Sequence, residues 1–110
     1  MLEALWSVEF VSNVQGAGAG VAVLETGRVL GGDNQYTYVG SYRTENHVVH
    51  ADVKVTHYTG STNSVFGPAK EFTLRVSGKP AREQFTLNGY VVENPSLKLG
   101  IRLTRRAELP

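Results

Sequence analysis

An all-β fold, a single antiparallel up-and-down β-barrel of eight strands with little helix, is what this sequence predicts. Three observations point to it. Segment after segment alternates apolar and polar residues, the period of a half-buried strand. Nearly all of these segments are separated by turns too short for the return connection of a Greek key, so sequential strands pair with one another. Twelve glycines stand against four prolines and one methionine, a composition of strands and tight turns. No apolar stripe of 3.6-residue period interrupts the pattern. Eight such strands bury their apolar faces most simply by closing into a barrel, which also removes the sheet edges; a two-layer sandwich is the alternative.

The strands are read in chain order. Leu5 to Ser12 places Trp6, Val8 and Phe10 on one face and Ser7 and Glu9 on the other. Asn13 to Gly16 turns the chain into GAGAGVAVLE, a strand whose early glycines and alanines suit a sharply bent sheet. Thr26 and Gly27 make the next turn. The stretch from Gly27 to Tyr42 then reads as strand, Gly-Gly-Asp-Asn turn, strand, with Tyr36, Tyr38, Gly40 and Tyr42 facing one way and Thr37, Val39 and Ser41 the other. A glycine interrupting an aromatic row marks a place where a bulky side chain from elsewhere passes close to the backbone. Thr44 to Asn46 turns again, and His47 to Tyr58 forms the longest strand, Val49, Ala51, Val53 and Val55 inward and His50, Asp52, Lys54 and Thr56 outward.

Thr59 to Lys70 is the one long connection, rich in Gly, Ser, Thr and Asn apart from Val65 and Phe66, and reads as a mobile loop with an apolar tip. Glu71 to Ser77 resumes alternation with Phe72, Leu74 and Val76 inward. Beyond the Gly78-Lys79-Pro80 turn, Gln84 to Val92 turns Phe85, Leu87, Gly89 and Val91 to the core. Asn94 and Pro95 open a last turn, and Leu97 to Arg105 carries Leu97, Leu99, Ile101 and Leu103 inward.

At 110 residues the chain is one domain, 1–110, large enough to bury roughly two thirds of its unfolded surface without covalent staples. It has no cysteine, which fits a reducing compartment. The opening MLEALWSVEF lacks a basic region and a small-residue cleavage site, and no apolar run approaches the roughly 20 residues that span a bilayer, so a soluble cytoplasmic protein is expected. A formal net charge of +1 gives no general attraction to nucleic acid or membrane.

Catalytic and metal chemistry find little support. GAGAG is followed by an alternating apolar run without lysine, where a phosphate loop requires a helix to open. His47 and His50 lie three apart, which on a strand sends them to opposite faces. Glu9, Asp52 and Glu71 occupy outward positions, and Asp33 is placed to close a turn through an Asx hydrogen bond. Neither a catalytic residue, a metal site nor a cofactor is expected. Lys98, Arg102, Arg105 and Arg106 cluster on the final strand and its exit without the aromatic neighbours of a nucleic-acid stacking platform. The interior is what remains. A closed barrel would be lined by Trp6, Phe10, Tyr36, Tyr38 and Phe72 together with Leu74, Phe85, Leu87, Leu99 and Ile101, and such a lumen either fills itself or holds one small apolar, lipid-like ligand.

The residues WSVEFVSN, then GAGVAVLETGRVLGGD and YTYVGSY, resemble the GrlR family, negative regulators of type III secretion gene expression. The likeness is strongest from Leu5 to Tyr42 and continues more loosely through VVHADVKV, with GGDNQYTYVG its most specific part. The resemblance implies a lipocalin-like barrel, often dimeric, that represses by binding a transcription activator and does not touch DNA. In the founding kind of member an acidic surface loop follows the tyrosine-glycine strand and recognises the activator. The matching positions here, Arg43, Thr44, Glu45, Asn46 and His47, hold a single carboxylate. Protein binding is expected at Arg43, Thr44, Glu45 and Asn46, while Val65 and Phe66 are expected either to fold back over the barrel mouth as a plug or to dock on another chain.

Overall fold

Alternation becomes strand throughout the chain. A computed structural model describes residues 2–13, 16–60 and 70–110, leaving the side chains of 16 and 17 aside, and Val65 and Phe66 lie outside the described residues. Among the described residues the elements are β1 (Ala4–Ser12), β2 (Gly16–Glu25), β3 (Arg28–Gly32), β4 (Tyr36–Glu45), β5 (Val48–His57), β6 (Glu71–Gly78), β7 (Gln84–Val91) and β8 (Asn94–Ala107). Each strand pairs antiparallel with its sequence neighbours, and β8 returns to β1, so the sheet is a closed eight-stranded barrel. No sandwich forms, because closure satisfies the backbone groups that two open sheets would leave at four edges.

The inward faces follow the expected parity. Trp6, Val8 and Phe10 are buried on β1, Val49, Ala51, Val53 and Val55 on β5, and Leu97, Leu99, Ile101 and Leu103 on β8. All belong to one hydrophobic cluster that also takes in Tyr36, Tyr38, Phe72, Leu74, Phe85 and Leu87.

Several local expectations are corrected. Gly31 and Gly32 belong to β3, and the turn is carried by Asp33 to Gln35. A Cβ at Gly31 would stand 2.1 Å from the Val21 carbonyl oxygen, so this glycine serves the close approach of β2. Gly40 behaves alike: a Cβ there would meet the Asp52 carbonyl oxygen at 2.1 Å, and what passes close is the backbone of β5, not a side chain. β4 runs on to Glu45, and Asn46 and His47 form the turn, both in the left-handed region at φ 52° and 65°, as a two-residue hairpin turn requires. β8 begins at Asn94 and ends at Ala107, longer than expected at both ends. Its start pairs with Val91 across an irregularity, which accommodates a proline that cannot donate to the ladder.

Burial sets the energetic scale. Phe72→Ala should cost about 3–5 kcal/mol, the usual price for emptying an aromatic site in a packed core, whereas exposed Glu9→Ala should move stability by under about 0.5 kcal/mol. Chemical denaturation of the two variants checks this; equal losses would mean that inward and outward faces have been exchanged.

Candidate functional site

The interior is filled by its own side chains. What remains is an apolar cavity of about 50 Å³, whose wall includes Phe10, Tyr38, Leu74, Phe85, Leu87 and Ile101. Pockets that hold drug-sized ligands run to about 300–1,000 Å³. Trp6, Tyr36, Phe72 and Leu99, also expected along the lumen, are buried in the same cluster, apart from the cavity wall.

At the end of the barrel that carries the β2–β3 and β4–β5 turns, Trp6 closes the core. Its indole Nε1–H donates to the Leu2 carbonyl at 2.9 Å, and its ring meets Phe85 edge-on at 5.1 Å between centroids. The Arg105 guanidinium lies 4.9 Å over the indole and donates from Nε to the Arg82 carbonyl at 2.8 Å. Arg105 thus leaves the solvent-facing basic cluster expected on the last strand and its exit. Arg105 shares the parity of inward Leu103 and pairs with Trp6 in the regular β1–β8 register, which shifts only beyond this pair, between Trp6 and Leu5. Arg106 donates to the Ser7 hydroxyl at 2.8 Å and Arg102 faces Glu9 at 4.0 Å, so the basic exit is tied to β1.

The opposite end is organised by Asp33. Its Oδ1 accepts the backbone N–H groups of Gln35 at 2.8 Å and Tyr36 at 2.7 Å, the Asx turn expected. Its Oδ2 does something the local pattern could not show: it accepts the Tyr38 hydroxyl, whose ring rises from the core against Phe10. Tyr58, at the start of the long connection, donates its hydroxyl to the Asp33 carbonyl at 2.6 Å. Burial, and then the Asp33 carboxylate, push the Tyr38 phenol far above its ordinary value. Gly20 makes the arrangement possible, since a Cβ there would meet the Tyr38 hydroxyl at 2.6 Å and the Gly32 carbonyl at 2.8 Å. The tyrosine row is thereby satisfied: Tyr38 is bonded, Tyr42 is half-buried at the other mouth, and the described residues contain no buried side-chain polar atom without a partner.

The outer wall has two characters. Across β1 to β4 the outward residues Leu5, Val23, Leu30 and Val39 stand directly opposite one another in consecutive ladders, a continuous apolar row. Leu30 is 42% exposed and Val39 54%, and Val21, two residues before Val23 on the same face of β2, is 50% exposed. Uncharged Ser7, Gly32 and Thr37 complete the area. No single strand displays this row, because each contributes one or two of its residues. Across β4 to β8 the wall is polar. Of the positions expected to bind protein, Arg43, Thr44 and Glu45 lie at the end of β4, the Arg43 Nε–H donating to Glu45 at 3.0 Å, and Asn46 lies in the turn. His50 faces outward beside Arg43, while His57 contacts the Gly60 carbonyl at 2.8 Å. Among the described residues no group of three or more His, Asp or Glu could hold a metal ion.

Two measurements test the Asp33 assembly. Tyr38→Phe leaves a carboxylate oxygen without its partner and should cost about 1–3 kcal/mol, and Gly20→Ala should also destabilise. Because both act on one hydroxyl, the double variant should lose less than the sum of the two. With the folded phenol raised, the unfolded chain releases its proton first, so stability is full below pH about 10 and falls as pH rises beyond it. Urea unfolding between pH 8 and 11 should show a steeper decline in the parent than in Tyr38→Phe; parallel declines would remove Tyr38 as the cause.

No model of a known protein family matches the chain, and no curated protein matches it.

Proposed function

We propose that this protein is a non-catalytic regulatory barrel of the cytoplasm that acts by binding another protein through its outer wall, a transcription regulator as the resemblance to the GrlR family implies. The apolar row of Leu5, Val23, Leu30 and Val39 carries the reading. Apolar residues scattered singly over a surface need no explanation, but a contiguous patch rimmed by polar groups marks an interaction site. The small interior cavity supports the same view, because about 50 Å³ is far below the roughly 300 Å³ at which pockets for drug-sized ligands begin. Either the regulator or a second copy of the chain covers the row.

The test uses tagged protein as bait in its native host, with sedimentation of what is recovered. Leu30→Glu and Val39→Glu should each reduce association at least tenfold while leaving thermal stability nearly unchanged, as substitutions at exposed positions do. Thr86→Glu, at an exposed position of β7 outside the row, should associate like the parent. Undiminished association in the first two variants would overturn the reading.

A second reading, a carrier or sensor of a small apolar molecule, has one observation in its favour. Tyr42 borders both the interior cavity and an open recess at the barrel mouth lined by Leu2, Glu3, Thr44 and Arg82, and is the residue the two linings share. Tyr42→Ala should then raise uptake of an apolar fluorescent probe several-fold, and native mass spectrometry of the parent should show a bound lipid-sized mass. An empty parent with unchanged probe uptake in the variant rejects the carrier.

A further inference from the structure

The polar wall has an order of its own. In the ladders from β4 to β7, Arg43 stands opposite His50, His50 opposite Ser77 and Ser77 opposite Asn88. One step along the strands, Asp52 stands opposite Arg75, Arg75 opposite Tyr90 and Tyr90 opposite Lys98. The two rows border a groove of about 280 Å³, its middle low over Ser77 and Asn88 between the longer side chains of Arg43, Arg75 and Tyr90. A second recess continues it past Tyr90 to Lys98 and Asn13.

The groove is rich in donors and carries an excess of positive charge. Arg43, Arg75 and Lys98 face it against Asp52, with Glu45 beside Arg43. The Arg75 Nε–H donates to Asp52 at 2.8 Å, one of the five N–H groups a guanidinium carries. The Asp52 carboxylate, and then the Tyr90 hydroxyl, raise the Arg75 pKa further, so the charge is permanent. Hydroxyls of Ser77 and Tyr90 and the Asn88 amide add neutral hydrogen-bonding groups that suit carboxylates. One aromatic residue is too few to stack successive bases, which disfavours a nucleic-acid strand.

Spacing narrows the choice. Arg75 and Lys98 lie two strand positions apart, about 10 Å at the usual strand separation. A polyproline II segment advances about 9 Å in three residues and returns its side chains to the same face with that period. We propose that this groove docks an acidic segment of a protein partner in polyproline II conformation, with carboxylates at every third residue meeting Arg75 and Lys98 on either side of Tyr90. The inference rests on the protein-binding reading above and assigns it a second, electrostatic contact surface.

The experiment titrates the full chain into a fluorescein-labelled twelve-residue peptide with Glu at every third position, at 20 mM and at about 300 mM salt. Binding should be seen at low salt and weaken at high salt. Arg75→Gln and Lys98→Gln, which keep most of the side-chain packing, should each weaken it by about fivefold or more, and Arg75→Glu with Lys98→Glu by more than about tenfold. Arg28→Gln, a cation on the apolar side of the barrel, should leave it unchanged. Absence of peptide binding, equal weakening by Arg28→Gln, or tighter binding of a single-stranded oligonucleotide that depends on the same two cations would each overturn the proposal. Leu30→Glu should not affect this peptide, so a failure of the apolar row and a failure of the groove are read separately.

Discussion

The hydrogen-bonded seam between β1 and β8 joins the two ends of the chain, Ser7 opposite Thr104 and Phe10 opposite Ile101, and the rest of the molecule depends on it. Until that ladder forms, β1 and β8 are open edges and the inward faces have no enclosed volume to fill. The pairing is the least local in the barrel, so its loop-closure entropy is paid before the core rewards it. Features around the seam secure it. Arg105 spans from the end of β8 to the indole of Trp6 on β1, Arg106 reaches Ser7, and Asn13 just after β1 accepts the Lys98 N–H and donates to the Ser96 carbonyl.

Closure of so small a barrel has a consequence for function. Eight strands leave an interior just wide enough for side chains, and here Trp6, Tyr36, Phe72 and their neighbours occupy nearly all of it. The fold is thus best equipped to act on its outside. There the same closure divides the wall, with β1 to β4 presenting an uncharged apolar row and β4 to β8 a row of arginines, lysine, hydroxyls and amide. An apolar contact supplies affinity and a charged one orientation and encounter rate, a combination suited to selective binding of one partner.

Asp33 shows how a single residue links layers of the structure. It closes its own turn, receives a phenol from the core and anchors Tyr58 at the start of the long connection. Burying Tyr38 without that acceptor would leave its hydroxyl unsatisfied, and the acceptor could not be reached if Gly20 carried a side chain. Gly20, the Asp33 turn and Tyr38 therefore constrain one another at one hydrogen bond.

The sequence by itself determined the strand count, the inward face of most strands and the all-β class, because period-2 alternation is a local property carried by such segments, as in Val49, Ala51, Val53 and Val55 of β5. It also made the Asx turn at Asp33 legible, since that bond spans only two or three residues. Only the tertiary structure decided what depends on which residues of different strands become neighbours. The seating of Arg105 on Trp6 follows from the β1–β8 pairing, the roles of Gly20, Gly31 and Gly40 from the approach of other segments, and the limited cavity from the summed volume of side chains on all eight strands. The Leu5–Val23–Leu30–Val39 row and the Arg75–Tyr90–Lys98 row exist only across ladders, perpendicular to the chain, where reading along the sequence has no access. A surface of this kind is a product of register, and register is set by closure.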